Sequence, residues 1–129
     1  MGYCIELEES TIGITKDNSV KMMDMLVDYI NNNKVYWSWV NEEYIAGACI
    51  EHIFEEVMEE FRYPVYEEDG IYKIEYFSGE KLGDDYEIFS LIAPYINDGY
   101  IEMCGEDGLR WRWIFKNGIC EEKYPEIEW

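Results

Sequence analysis

Twenty-nine Asp and Glu face ten Lys and Arg in this 129-residue chain, leaving it at −19 at pH 7. Charge of one sign at that density expands a chain unless enough apolar surface is available to bury. Here 48% of residues are hydrophobic and 17% aromatic, with 5 Trp, 12 Tyr and 5 Phe. The expected object is an aromatic interior under a negative surface. Its field repels nucleic acid and anionic membranes and attracts basic proteins and cations. The expected partner is a basic protein surface, such as that of a nucleic-acid-binding enzyme. Direct nucleic-acid binding and membrane association are not expected.

The length fits one domain, residues 1–129, with one hydrophobic core. No apolar run approaches the roughly 18 to 20 residues that cross a bilayer. The first residues, MGYCIELEES, lack the basic and apolar regions of a secretory leader. Glu6 stands where a myristoylation site takes Ser or Thr. A cytoplasmic location is expected. There Cys4, Cys49, Cys104 and Cys120, which form no CxxC pair, read as reduced structural thiols.

Alternation and helical spacing take turns along the chain. Tyr3, Ile5 and Leu7 predict a half-buried strand. A helix is expected from about Asn18 or Ser19, with Val20, Met23, Val27 and Ile30 apolar and Asn31-Asn32-Asn33 at its end. Val35, Trp37 and Trp39 predict a second strand. Asn41 is a natural N-cap, followed by Glu42 and Glu43. One helix is expected from there to about Arg62, burying Ile50, Ile53, Phe54, Val57 and Phe61. Glu67-Glu68-Asp69-Gly70 reads as an acidic connection to a strand carrying Tyr72, Ile74 and Tyr76. Asp84 with Glu87 resembles a capping box for a helix facing the core through Ile88, Leu91, Ile92, Tyr95 and Ile96. Pro94 should bend or shorten it.

The last third is a meander: residues 100–104, a Glu106-Asp107-Gly108 turn, residues 109–116, an Asn117-Gly118 hairpin and residues 119–123, with 126–129 extending it. The order βαβ–α–βαβββ predicts an α+β two-layer sandwich, a mainly antiparallel sheet with helices on one face. A ferredoxin-like core with an added helix and a C-terminal hairpin is the topology expected.

Three groups invite a functional reading. Glu51, Glu55 and Glu59 follow one another at helical spacing, Glu56 and Glu60 form a parallel row, and Glu67, Glu68 and Asp69 continue the acid. Like charges so spaced cost an isolated helix roughly 0.2–0.5 kcal/mol per pair. Between positions 42 and 69 there are ten acids and one base, Arg62. The plain reading is a solvated helix face; the functional one is a negative ridge that docks on a basic groove in place of phosphates. His52, the only histidine, stands three and four residues before Glu55 and Glu56. No HExxH or CxxC completes a metal site, so neither a metal nor a cofactor is expected.

No catalytic residue is assigned, because GxSxG, P-loop and GxGxxG patterns are absent. In 109–116, Trp111, Trp113 and Phe115 share one face, and Arg110, Arg112 and Lys116 the other. That separation weakens a single-stranded nucleic-acid reading, which needs rings and cations together. A core-facing aromatic row is expected, with Arg110 and Arg112 paired to cross-strand acids such as Glu102 or Glu121. The alternative is that Arg110 and Arg112 anchor a partner.

The stretch 79–118, and above all GEDG followed by WRWxFxNG, resembles a segment in small, poorly characterised acidic proteins of Gram-positive bacteria and their phages. The likeness covers the C-terminal half. It implies a setting of mobile elements and defence systems, and it carries no catalytic residue across. The leading expectation is a non-catalytic acidic binding module, an inhibitor of anti-CRISPR or anti-restriction type. The alternatives are a small metal-dependent or acid–base enzyme using His52 and nearby carboxylates, and a housekeeping homodimeric module built on the Trp-rich sheet.

Overall fold

The computed structural model describes residues 5–33, 35, 37, 40–78 and 83–124. Tyr3, Cys4, Trp39 and the 126–129 extension fall outside them. The order is β1 (Ile5–Ser10), β2 (Ile14–Thr15), α1 (Lys16–Asn32), α2 (Glu42–Ile50), α3 (Phe54–Glu60), β3 (Val65–Glu68), β4 (Ile71–Ile74), α4 (Asp85–Ile92), a 3-10 turn (Ala93–Tyr95), β5 (Gly99–Gly105), β6 (Arg110–Lys116) and β7 (Ile119–Lys123). Every strand pairing is antiparallel. The chain is an α+β protein.

The strands divide between two sheets, β1-β5-β6-β7 and β2-β4-β3. The ferredoxin-like arrangement needs one sheet with parallel central strands, so that detail of the expectation is not adopted. Tight turns are the reason, because they commit β3–β4 and β5–β6–β7 to local antiparallel pairs. Asp69-Gly70 (φ 54° and 80°) and Asn117-Gly118 (φ 53° and 77°) both carry the two left-handed residues of a type I′ hairpin. The second was expected. The first turns the supposed acidic connection into strand β3, with Glu67 opposite Tyr72 and Glu68 opposite Ile71.

Alternation along β6 buries Trp111, Trp113 and Phe115 on one face. Ile101 lies opposite Trp113, Met103 opposite Trp111 and Cys120 opposite Phe115. Phe89 of α4 sits on this row, its ring 4.8 Å from Trp113, 4.9 Å from Tyr63 and 5.6 Å from Phe115. Each such contact adds about 0.5–1.5 kcal/mol beyond the area it buries. The other face of the same sheet carries Glu102, Arg110 and Arg112, which pair with one another.

Helix boundaries moved for identifiable reasons. Thr15 caps α1, its Oγ1 accepting from Asn18 N at 3.1 Å, so α1 starts before the expected Asn18. Its buried stripe is Ser19, Met22, Met23 and Leu26, which leaves Val20 exposed. Val35 and Trp37 are not in a strand. Trp37 is instead a buried anchor: its backbone N–H donates to Glu42 Oε1 (2.7 Å) and its indole N–H to Glu87 Oε2 (3.1 Å). Glu87 is thereby taken from the expected capping box, and Asp84 makes no side-chain cap to α4. Pro94 does shorten that helix, which passes into the 3-10 turn after Ile92.

The largest correction concerns residues 41–62. One long helix was expected; two short ones form, with a break at Glu51, His52 and Ile53. His52 N donates to Cys49 O and Ile53 N to Ala48 O, both at 3.0 Å, while His52 takes φ 57°. This is a Schellman end. Helix α3 ends the same way: Arg62 N donates to Glu59 O and Tyr63 N to Met58 O, both at 2.9 Å, with Arg62 at φ 75°. The left-handed residue in each is not glycine, which is why neither stop was legible. Each is secured by its side chain, His52 Nε2 on Asp24 Oδ1 (2.8 Å) and Arg62 Nη2 on Asp85 Oδ1 (2.9 Å).

A left-handed non-glycine residue costs about 1–2 kcal/mol. His52→Ala keeps that cost and loses the exposed contact with Asp24, so it lowers unfolding free energy by up to about 1 kcal/mol. His52→Gly removes the strain and is at least as stable as the parent in urea denaturation. A glycine variant less stable than the alanine variant would contradict the Schellman end.

Candidate functional site

Asn41 opens α2, its Oδ1 accepting from Tyr44 N at 3.1 Å, and Glu42 and Glu43 occupy the first turn, where the helix dipole favours acid. From Tyr44 to Ile50 there is then no charge. Ile45, Ala48 and Cys49 point into the core. The opposite face, Glu43, Tyr44, Gly47, Ile50 and Glu51, is exposed. Two of these are large apolar residues, with Tyr44 47% and Ile50 67% exposed. Ile50 was expected in the buried stripe. The helix break resets the phase and turns it outward.

Carboxylates frame this face. Partial desolvation, followed by the negative charge of Glu56, Glu59 and Glu60, holds the Tyr44 phenol above its ordinary pKa. All three acids belong to α3, and Glu56 bears on the phenol most. Along α1, Asp24 approaches the C-terminal end of α2, meeting His52 and bearing on Cys49. Glu51 caps α2 itself.

The other expected site residues are distributed differently. Glu51 is separated from Glu55 and Glu59 by the break, so no continuous five-residue ridge forms. Burial and then the charge of Glu55 raise the Tyr72 pKa, while that of Lys16 is raised by its hydrogen bond to Glu67 and the Glu67 charge, with Glu55 the smallest contributor. Glu60 Oε2 accepts from Asn41 N at 2.8 Å. Glu67 pairs with Lys16 (3.0 Å) and Glu68 with Lys73 (2.6 Å), while Asp69 is a turn residue. These three form a separate, partly neutralised hairpin.

Arg110 and Arg112 share Glu102, at 3.2 Å and 2.8 Å, as the cross-strand expectation had it. Arg112 also lies over the Tyr100 ring at 4.1 Å, and Tyr100 OH donates to Glu9. The two arginines are on the sheet's outer face and do not join the α2–α3 acids. Trp111, Trp113 and Phe115 are filled into the chain's own core and offer no rings to a partner.

His52 meets Asp24, and Glu55 and Glu56 belong to the next helix. Among the described residues, no three His, Cys, Asp or Glu side chains gather as a metal site. No helix among them is long and apolar enough to cross a membrane. Two acids are buried among the described residues, Glu102 and Asp85; Asp85, 4% exposed, accepts from Arg62 Nη2 (2.9 Å), Tyr63 OH (2.7 Å) and Gly83 N (2.8 Å). Burial, with Asp85 beside it, holds the Tyr63 phenol well above its ordinary pKa. The adjoining cavity is only about 10 Å³, close to one water in size.

Sequence reasoning missed Tyr44 and Gly47 and misplaced Ile50. The available signal was a run apolar on every side, too broad for the single buried stripe of a surface helix. Gly47 makes the point sharper. A Cβ built there meets no described residue within 4 Å, and its φ is not left-handed, so no contact among the described residues requires glycine. Gly47→Ala should raise unfolding free energy by roughly 0.5–1 kcal/mol, read from urea midpoints. A destabilised variant would show that the position is filled.

The core thiols carry a pH dependence. Burial pushes Cys49 from 9.0 up to about 12, with a smaller contribution from Asp24. Burial likewise pushes Cys120 from 9.0 up to about 12, helped by Glu122 and Glu121. The folded pKa is the higher one, so this stabilisation is complete below pH 9 and is lost as pH rises toward 12. Unfolding free energy should fall across that window by up to about 1.4 kcal/mol per pH unit for each thiol. The Cys49→Ala/Cys120→Ala variant should show a shallower fall; an equal slope would refute the assignment.

Comparison of the chain with protein-family models, with curated proteins and with solved structures yields no match.

Proposed function

We propose that this chain is a non-catalytic acidic binding module whose partner is a basic protein surface. The observation that carries the reading is the surface of α2 and α3. There Glu51, Glu55, Glu56, Glu59 and Glu60 form no ion pair with a described residue. The charge of three of them, Glu56, Glu59 and Glu60, reaches the exposed Tyr44. Carboxylates without a cationic partner, together with a half-exposed ring, supply both long-range attraction and a contact residue of the kind that dominates interfaces.

Basic grooves that hold nucleic-acid phosphates fit this charge best, because carboxylates take the places of phosphates without a duplex. In its specific form the module is a phage or mobile-element inhibitor of a CRISPR effector or a restriction enzyme. The C-terminal resemblance supports that setting, and the net charge of −19 supports the class of partner.

Affinity capture from a bacterial lysate on the immobilised chain tests the reading. Basic nucleic-acid-binding proteins should be retained at about 50 mM salt and released at about 500 mM, where the Debye length falls to a few ångströms. Replacing Glu51, Glu55, Glu56, Glu59 and Glu60 by Gln should abolish capture without lowering the melting temperature. Retention that ignores salt, or that survives the five replacements, overturns it.

A further inference from the structure

We infer that the outer face of α2 is a helix-docking seam, taken by a basic amphipathic helix of the partner protein; this rests on the acidic binding function just proposed. Tyr44, Gly47 and Ile50 stand at i, i+3 and i+6 along an exposed face, which spans about 9 Å, or nearly two turns. Large apolar side chains at either end and bare backbone between them make a notch along the helix. Gly47 weakens α2 as a helix former, and no described residue approaches its would-be Cβ. A residue that costs the monomer and serves no contact within it fits a site where another backbone comes close. Helices pack with axes 8–10 Å apart, and a small residue at the crossing permits the shorter distance.

Charge chooses the occupant. Glu43 and Glu51 lie at the ends of the seam, the charges of Glu56 and Glu59 of α3 reach Tyr44, and Asp24 of α1 lies beside the C-terminal end. Among described residues no Lys or Arg ion pair reaches this rim, and Asp24 is met by the imidazole of His52. A second copy of the chain would bring the same carboxylates against these, which opposes self-docking. A helix with an apolar stripe between rows of Lys and Arg satisfies both the notch and its rim, in the helix-in-groove mode.

The test uses the full chain and two synthetic 18-residue peptides of identical Leu and Lys content. One places Leu at helical spacing; the other permutes the order so that no stripe forms. Fluorescence anisotropy at about 100 mM salt should show the striped peptide binding at least tenfold more tightly. Ile50→Ser and Gly47→Gln should each reduce its affinity to that of the permuted peptide, with neither lowering the melting temperature. If one variant fails to fold, the other decides.

Equal binding of both peptides, unaffected by either substitution but weakened by Glu56→Gln/Glu59→Gln, overturns the seam and leaves the acidic binding function standing. No binding of either peptide overturns both. A wild-type dimer in sedimentation that Gly47→Gln dissociates would assign the seam to a second copy, and the proposal would fall.

Discussion

The contact of Phe89 with Tyr63, Trp113 and Phe115 is the joint on which the molecule is assembled. It brings together α4, the segment that leaves α3, and the central strand of the larger sheet. Rings in edge-on and tilted contact are needed because the surface works against compaction at −19. Asp85 sits on the same helix and ties Arg62 and Tyr63 from the polar side. A carboxylate so deeply buried is tolerable only with its lone pairs filled, and here three donors converge on it. The end of α3 is therefore fixed by an apolar and an ionic contact at neighbouring residues.

That fixation decides where the acid goes. A single helix through residues 41–62 would have lined up Glu51, Glu55 and Glu59. Two Schellman ends redirect the chain instead, and the carboxylates sort into distinct settings. Glu56, Glu59 and Glu60 bear on Tyr44, Glu55 bears on Tyr72, and Glu51 closes α2. Like charges that would repel along one helix are thus spread over two, and an apolar strip is exposed between them.

Legibility in the sequence followed the strength of local signals. The meander from Gly99 to Lys123 was readable because β6 alternates without exception and Asn-Gly permits one kind of turn. Strand β3 was not, because Glu67 and Glu68 are poor strand formers and it is the Asp-Gly turn that places them. The α2–α3 break was hidden because His52 and Arg62 occupy positions where glycine is the usual marker. Trp37 looked like a strand residue by composition, yet its two hydrogen bonds to Glu42 and Glu87 make it a cross-link between helices. Of the candidate site, the acids were readable by eye. The strip they frame was not, since its exposure depends on a helix phase that the hidden stop resets.

The shared Glu102 has a consequence for how the molecule moves through solution. By binding Arg110 and Arg112 together it gathers cationic charge on the outer side of the large sheet, where Lys116 and Lys123 also lie. Four of the ten bases of the chain are on this pair of strands, whereas α2 and α3 contain none. Those four bases share their two strands with Glu121 and Glu122, whereas the six acids of α2 and α3 have no base within their own helices. A positive potential therefore pulls on α2 and α3 without opposition from a base of either helix.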